Sequence, residues 1–391
     1  MTHAHAAKFD WDVTRSRARR TKRWSVYGDD VLDLTVAEMD LPIADPIMAV
    51  LKEAVERQSF GYPVPRARSP LPEIAARWLT EHHGLATEPA AVHLLPELMS
   101  GITNAVRLFT RPGSAVVVPT PTYRSFFGAI ELAGREAVQA PLVRAEDGYR
   151  LDYDRIDAAL AAGAGSVLLC HPANPVGRIY RPEELRQLAG LVTRHGARVI
   201  SDEIHAPLRY QEDFTPYASV GDEAREHAVT LFSATKAWNI PGLRCGFIAL
   251  PNAADQALWA ALPAAATGGI SPLGMVASAA AFQHGKPWLD QAVGYLAANR
   301  ALLGRLLADA GLPDVYTPPE ATYLAWLDLR GLGLPDPSVR LLEHGGVATT
   351  AGPDHGQAGT GFVRLNFATQ PDVLEEAATR ITKAVAGLPR A

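Results

Sequence analysis

Between about residues 90 and 250, short apolar runs alternate with amphipathic helical patterns. Runs of this length are typical of buried strands, and strands joined by helices form a largely parallel sheet that is covered on both faces. We therefore predict an α/β fold. The predicted strands are residues 91–95, 115–119, 166–170, 197–202, 228–233 and 245–250, and the predicted helices are 101–109, 181–196 and a segment directly after Lys236.

The sequence pattern changes after residue 285. A helical pattern covers 286–311, strand patterns follow at 321–329, 346–350 and 362–367, and a last helical pattern covers 372–388. We interpret the chain as two domains, for which 391 residues suffice. The predicted large domain covers 45–285, and a smaller α+β domain combines 1–44 with 286–391.

Charge and hydropathy exclude several classes of protein. The 37 basic and 42 acidic side chains give a net charge of -5, which offers no large basic surface to nucleic acid. No segment is apolar over the length of a membrane span, and the first 20 residues lack the apolar centre of a secretory signal. We expect a cytoplasmic protein without a membrane or nucleic-acid partner. The basic run at 15–23 is interpreted as a solvated arm or a subunit contact, with nucleic-acid binding as a minor alternative.

Cysteine and histidine positions do not indicate a metal centre. Cys170 and Cys245 each lie in an apolar strand pattern, which predicts two buried thiols rather than a bridge or a metal pair. The histidines show no clustered ligand spacing. His3 with His5, and His82 with His83, are expected at the surface.

The strongest chemical signal is Lys236 within Ser233-Ala234-Thr235-Lys236, followed by Gly242-Leu243-Arg244-Cys245-Gly246. A lysine amine can condense with an aldehyde, and Ser233 and Arg244 could hold a phosphorylated aldehyde beside it. That combination describes a pyridoxal phosphate site. The alternative for an isolated lysine is a solvated surface charge.

Two polar side chains follow neighbouring predicted strands. Asp202 ends one strand, where ligands of such folds bind, and its carboxylate could keep the cofactor's ring nitrogen protonated. Asn174 lies between two prolines after another strand, so its amide could be aimed at the ring hydroxyl. A strand-end cap for Asp202 and a proline-rich turn for Asn174 are the alternatives.

Three further positions fit the same ligand. The segment containing Leu98 and Met99 begins a helix whose free N–H groups suit a phosphate. Tyr123 follows a strand end and could stack on a flat ring, or could be a core aromatic. Arg364, in a strand with apolar neighbours, could bind a substrate carboxylate through two hydrogen bonds, or could lie on a solvated strand face.

Together these residues resemble the fold type I pyridoxal phosphate enzymes, the aspartate aminotransferase superfamily, over nearly the whole chain. The resemblance implies catalytic roles for Lys236, Asp202 and Tyr123, and a homodimer with shared sites. It also implies substrate binding by Arg364 and Asn174. The cofactor contacts that it implies are Lys236, Asn174, Asp202, His205, Tyr123, Ser233, Arg244, Leu98, Met99 and, from the neighbouring subunit, Tyr62.

Within the superfamily the chain is more similar to the cystathionine beta-lyase-like carbon–sulfur lyases of the MalY/PatB type. Residues 201–206, with His205 where many aminotransferases carry tyrosine, match that group, as do 37–42, 60–62, 269–274 and 320–326. The similarity implies β-elimination from an S-substituted cysteine to a thiol, pyruvate and ammonia. The expected partner is thus a small amino acid or S-conjugate.

Some positions depart from the pattern of that group, namely Glu38, Pro207, 237–238 and 350–355. They flank the cofactor and the substrate entrance, so two alternatives to β-elimination stay open. One is transamination, and the other is decarboxylating oxidative deamination of an S-conjugate in specialised metabolism.

Overall fold

The computed structural model of the protein describes residues 9–145, 148–210, 214–334 and 336–386. The strands are β1 (Leu32–Asp33), β2 (Val92–Leu95), β3 (Val116–Thr120), β4 (Ala137–Pro141), β5 (Val143–Ala145), β6 (Gly148–Arg150), β7 (Ser166–Cys170), β8 (Arg198–Asp202), β9 (Ala228–Phe232), β10 (Gly246–Ala249), β11 (Leu324–Asp328), β12 (Val347–Ala348), β13 (Thr350–Ala351) and β14 (Phe362–Asn366).

The α-helices are α1 (Val13–Ala18), α2 (Asp45–Glu56), α3 (Leu71–Trp78), α4 (Leu98–Phe109), α5 (Ser125–Leu132), α6 (Tyr153–Ala161), α7 (Pro182–Arg194), α8 (Asp222–His227), α9 (Ala253–Ala260), α10 (Ala264–Thr267), α11 (Pro272–His284), α12 (Lys286–Asp309), α13 (Pro337–Gly345) and α14 (Pro371–Val385). None of the helices in the described ranges is both long and apolar enough to span a membrane.

A seven-stranded sheet in the order β2-β10-β9-β8-β7-β3-β4 forms the centre of the fold. Its neighbouring strands are parallel except for β10, which runs antiparallel to β2 and β9. Val117 and Leu169 pack in one apolar core, whereas Val118 and Leu168 pack in another. Because successive strand residues point to opposite faces, each face of the sheet has its own core. The predicted α/β sheet is confirmed.

The helix predicted directly after Lys236 is wrong. Residues 234–239 form turns, and one turn of 3₁₀ helix follows at Pro241–Leu243. Asn239 adopts a left-handed φ of 58°, and Pro241 has no N–H to donate to a preceding turn. Both features prevent a continuous α-helix. The sheet also gains β4, which the sequence pattern did not single out.

A second, antiparallel sheet in the order β11-β14-β13 lies in the C-terminal part of the chain. Arg364 on β14 lies opposite Trp326 on one side and Thr350 on the other. The N-terminal β1 pairs with β12, as the predicted association of residues 1–44 with this part requires. The domain boundaries at 44/45 and 285/286 stay a prediction. The predicted end of the last helix, at 388, lies outside the described residues.

One side chain in each of two segments predicted at the surface packs inward instead. Arg23, in the basic run, is buried and forms an ion pair with Asp40 at 2.8 Å. His83 is buried against Trp78 and Phe214, and burial lowers its pKa to about 3. His3 and His5 lie outside the described residues. The prediction of two buried free thiols is confirmed.

Candidate active site

A cavity of about 570 Å³ lies at the carboxyl edge of the central sheet. Tyr123 follows β3, Asn174 follows β7, Asp202 ends β8 and Lys236 follows β9, and all four side chains line this cavity. Arg364 reaches it from β14. Parallel strands present their carboxyl ends at one edge, so residues far apart in the sequence meet there. The structure thus brings five of the predicted site residues together, and Leu98, Met99 and His205 join them in the cavity wall.

Lys236 is held by a backbone carbonyl. Its Nζ donates to the Ala37 carbonyl oxygen at 2.8 Å, and the Tyr323 hydroxyl donates to the same oxygen at 2.9 Å. Burial lowers the pKa of Lys236 to about 8, against the opposing effect of Glu38. Near neutral pH a fraction of this amine is therefore uncharged, which both condensation with an aldehyde and proton abstraction require.

Asp202 and His205 are both buried beside the lysine. Asp202 Oδ1 accepts a hydrogen bond from the Ile204 N–H at 3.1 Å, and burial raises the pKa of Asp202 to about 7. Burial lowers the pKa of His205 to about 3, so its imidazole is neutral. In the described part of the chain His205 Nδ1 has no hydrogen-bond partner, although it is buried. A polar ligand bound in the cavity could satisfy this atom.

Arg364 is buried and only partly satisfied. Its Nη1 donates to Asn174 Oδ1 at 3.3 Å, and its Nη2 donates to the Thr35 carbonyl at 2.8 Å and to Thr350 Oγ1 at 3.3 Å. Its Nε has no partner among the described residues. Burial lowers the pKa of Arg364 to about 10, so it remains a cation at neutral pH. A fixed, desolvated guanidinium of this kind binds carboxylates well.

The N-terminus of α4 forms another part of the wall. Leu98 and Met99 lie in its first turn, and the N-cap residue Glu97 makes no side-chain capping hydrogen bond. The free N–H groups and the helix dipole therefore favour an anion there. A Cβ on Gly246 would lie 2.6 Å from Leu98 Cδ1, so the glycine allows β10 to approach this turn closely.

Three predicted cofactor contacts do not line the cavity. Ser233 is buried, and its hydroxyl donates to the Cys245 carbonyl at 2.7 Å and lies 2.9 Å from Thr235 Oγ1. The Arg244 side chain is largely exposed and lies 3.6 Å from Glu97 Oε2. Tyr62 is fully exposed beside a different cavity of about 490 Å³ between α2 and α11. Their cofactor roles stay predictions.

Sequence patterns did not predict the hydrogen bonds of a segment that we call the strap, Thr35–Leu41. Every backbone carbonyl of the strap accepts a hydrogen bond from a side chain, and Thr35, Val36 and Ala37 line the cavity. The donors are Arg19, Arg23, Lys236, Asn239, Tyr323, Thr350, Arg364, Asn366 and Gln370. The match of residues 37–42 to the lyase group was the available signal.

Three residues at the mouth of the cavity were also missed. Arg124, Lys22 and Ser338 line it together with Asp354, which lies in the divergent segment 350–355. Arg124 adjoins Tyr123 and Lys22 lies in the basic run 15–23, whereas none of the motifs singled out above adjoins Ser338. In the described ranges, no group of three or more His, Cys, Asp or Glu side chains could hold a metal ion.

Comparisons with known proteins agree with this geometry. Residues 29–381 match the family described as aminotransferase class I and II. The chain belongs to this family. Its fold is that of the fold type I pyridoxal-phosphate-dependent aminotransferases, and enzymes of this family depend on pyridoxal phosphate.

Relatives within the aminotransferase family are named as lyases. The chain is 36% identical over 371 residues to a cystathionine beta-lyase of Corynebacterium glutamicum, which covers 95% of this chain and 98% of that protein. It is 32% identical to cystathionine beta-lyase PatB of Bacillus subtilis, over 93% and 96% of the two chains. A provisionally named PLP-dependent beta-cystathionase of Corynebacterium diphtheriae has a solved structure with a TM-score of 0.91 at 36% identity, covering 97% of this chain and 100% of that chain.

The residues of the cavity fit pyridoxal phosphate, the cofactor of the aminotransferase family. Lys236 supplies a primary amine of lowered pKa, and Asp202 supplies a carboxyl group that can pair with a protonated ring nitrogen. Uncapped helix N–H groups at Leu98 and Met99 suit the phosphate. The unpartnered His205 Nδ1 is one more polar atom that a bound ligand could satisfy.

Proposed function

We propose that this protein is a pyridoxal-phosphate-dependent carbon–sulfur β-lyase that converts an S-substituted cysteine to a thiol, pyruvate and ammonia. The meeting of Lys236, Asp202 and Arg364 in one cavity carries the proposal. The names of the relatives support the choice of elimination within the family.

The cofactor, when bound, supplies an aldehyde that condenses with an amine and a ring that takes up the electron pair left at the α carbon. Asp202 is assigned to the ring nitrogen, where a positive charge would lower the pKa of its carboxyl from about 7. Asn174 is assigned to the ring hydroxyl, and the first turn of α4 to the phosphate. Tyr123 is assigned to the ring face.

The substrate is held and deprotonated by the side chains of this chain. Arg364 binds the α-carboxylate of the substrate. Asn174 and Thr350 accept hydrogen bonds from the Arg364 guanidinium and hold it in place. Lys236, with its pKa lowered to about 8, removes the α proton. The Cβ–S bond then breaks and sulfur leaves with the electron pair as a thiolate. The remaining 2-aminoacrylate reacts with water to give pyruvate and ammonia.

The test is incubation of the protein, supplied with pyridoxal phosphate, with L-cystathionine. Pyruvate and free thiol should appear in equal amounts, and Lys236→Ala should lower their rate at least about 1000-fold because the base is absent. Lys286→Ala is the matched control, since Lys286 is a half-exposed lysine that pairs with Asp290 on α12. It should keep full activity.

Two other products would contradict the proposal. Accumulation of pyridoxamine phosphate without pyruvate would establish transamination, and release of carbon dioxide would establish decarboxylation. Both alternatives use the same cavity, so only the products separate them.

We also propose that the protein is a homodimer whose sites are shared between subunits, in a reducing compartment such as the cytoplasm. Tyr62 is fully exposed, which a side chain reaching into a neighbouring subunit requires. It lines a cavity together with the exposed apolar side chains of Val64 and Val276. Patches of this kind mark subunit contacts. The free cysteines support the reducing compartment.

A further inference from the structure

An ion pair lies at the mouth of the candidate active site and takes no part in the proposed chemistry. Arg124 Nη1 lies 3.0 Å from Asp354 Oδ2, and the two side chains are 51% and 45% exposed. Arg124 follows Tyr123 at the start of α5, and Asp354 lies in the 3₁₀ turn Gly352–His355 after β13. The pair therefore joins two parts of the chain that flank the substrate entrance.

The pair lies where two cavities meet. The active-site cavity of about 570 Å³ and a second cavity of about 900 Å³ are both lined by Glu97, Met99, Arg124 and Asp354. Polar side chains of α4 and α5 line much of the second cavity, among them Ser100, Thr103, Asn104 and Ser125. A substrate that extends from the first cavity into the second at this point would lie beside Arg124.

Arg124 has N–H donors that bind no acceptor in the described ranges. A guanidinium carries five N–H groups, and within the described ranges Arg124 uses one of its nitrogens, Nη1, for its single polar partner Asp354. Glu97, the other acid shared by both cavities, lies beside Arg244 instead. Arg364 already donates hydrogen bonds to Asn174, Thr35 and Thr350. Arg124 is thus a cation at the mouth of the cavity. Its free N–H groups can donate hydrogen bonds to a planar anion such as a carboxylate.

Building on the proposed function, we infer that Arg124 binds a carboxylate carried by the sulfur substituent of the substrate. The enzyme would then prefer S-(carboxyalkyl)cysteines and other acidic thioethers to neutral ones of the same size. The two carboxylates of such a substrate are bound by different arginines, the α-carboxylate by the buried Arg364 and the distal carboxylate by Arg124. Asp354 orients the Arg124 guanidinium and competes with the distal carboxylate, so it sets the strength of the preference.

The test compares two substrates of equal length and shape that differ in charge, S-(2-carboxyethyl)-L-cysteine and S-(2-carbamoylethyl)-L-cysteine. Pyruvate release by the holoenzyme gives kcat/KM for each. The acid-to-amide ratio of these constants should fall about 10- to 100-fold in Arg124→Gln, because a charge-assisted contact is lost, and should recover in part in Arg124→Lys. Asp354→Asn should raise the ratio.

Arg144→Gln is the matched control. Arg144 is 47% exposed and pairs with Asp328, as Arg124 pairs with Asp354, but it does not line the active-site cavity. Its removal should leave the acid-to-amide ratio unchanged. A ratio that is the same in wild type and Arg124→Gln would overturn the inference.

A binding measurement separates this inference from the proposed function. 3,3′-Thiodipropionate has two carboxylates and no amine, so it cannot react, and calorimetry should show that it binds the holoenzyme more tightly than its monoamide does. Arg124→Gln should remove that difference, and a difference that survives would overturn the inference. Binding through Arg124 without pyruvate from either cysteine thioether would refute the lyase and keep the subsite. Pyruvate from both thioethers, at an acid-to-amide ratio that Arg124→Gln does not change, would support the lyase and refute the subsite.

Discussion

Asp202 illustrates how burial sets the protonation state of single residues in this site. Its carboxyl has one hydrogen bond, from the Ile204 N–H, and burial raises its pKa from 3.8 to about 7. Between these pH values the folded protein holds a proton that the unfolded chain has released. Without a cofactor cation, ionisation of Asp202 therefore destabilises the fold.

Asp202→Asn should remove that pH dependence. As pH rises from about 4 to about 7, the free energy of unfolding of the cofactor-free wild type should fall relative to that of Asp202→Asn, by at most about 4 kcal/mol. Urea unfolding of both proteins at several pH values measures the difference. A difference that is constant across this range would contradict the raised pKa.

Single residues at strand ends could be predicted because their positions need only local patterns. Asn174, Asp202 and Lys236 each follow a short apolar run, and such runs end at one edge of a parallel sheet. Ser233 shows the limit of that reasoning. Its motif indicates a ligand, but the direction of its hydroxyl depends on Cys245, which lies on the far side of the turn.

At the scale of elements, the loop that carries Asn174 is held by the segment before β11. The Gly177 carbonyl accepts hydrogen bonds from the N–H groups of Glu320 and Ala321, both at 3.0 Å. The Glu320 carboxylate pairs with the buried Arg178 at 3.0 Å. These contacts cross between the two sheets and fix the Asn174 amide relative to Arg364.

Gly177→Ala should loosen this loop. Gly177 has a φ of 69°, and a Cβ there would lie 2.1 Å from Pro319 Cβ and 2.8 Å from the Ala321 carbonyl. Gly84→Ala is the matched control, because Gly84 has a φ of 71° and nothing within 4 Å of its Cβ position. Chemical denaturation should show Gly177→Ala to be less stable than the control by about 1–3 kcal/mol, the cost of overpacking. Equal stabilities would show that backbone strain alone matters.

The strap, Thr35–Leu41, could not be predicted as a wall of the site. Its role depends on backbone carbonyls, which every residue has, and on donors as distant in sequence as Lys236 and Asn366. Likewise, the turn after Lys236 replaced a predicted helix because Asn239 and Pro241 interrupt the helical backbone.

At the scale of the whole molecule, a shared active site can be tested by complementation. Tyr62→Ala and Lys236→Ala should each lower lyase activity severely when expressed alone. In a co-expressed heterodimer, one site would combine both defects and the other would be intact. With random pairing, about a quarter of the sites would then be active. Pyruvate release measures the recovery, and a mixture no more active than the sum of its parts would contradict the shared site.

Sequence patterns were sufficient to predict the α/β sheet, the residues at its carboxyl edge and the likeness to pyridoxal phosphate enzymes. These follow from hydrophobic periodicity and short motifs, which are local. Contacts between distant groups became known only from the folded chain: Arg124 with Asp354, Lys236 with the Ala37 carbonyl, and Arg364 with Thr35. Those contacts depend on how the two sheets and the N-terminal segment pack, and that packing is set by the summed burial of many side chains rather than by any one motif.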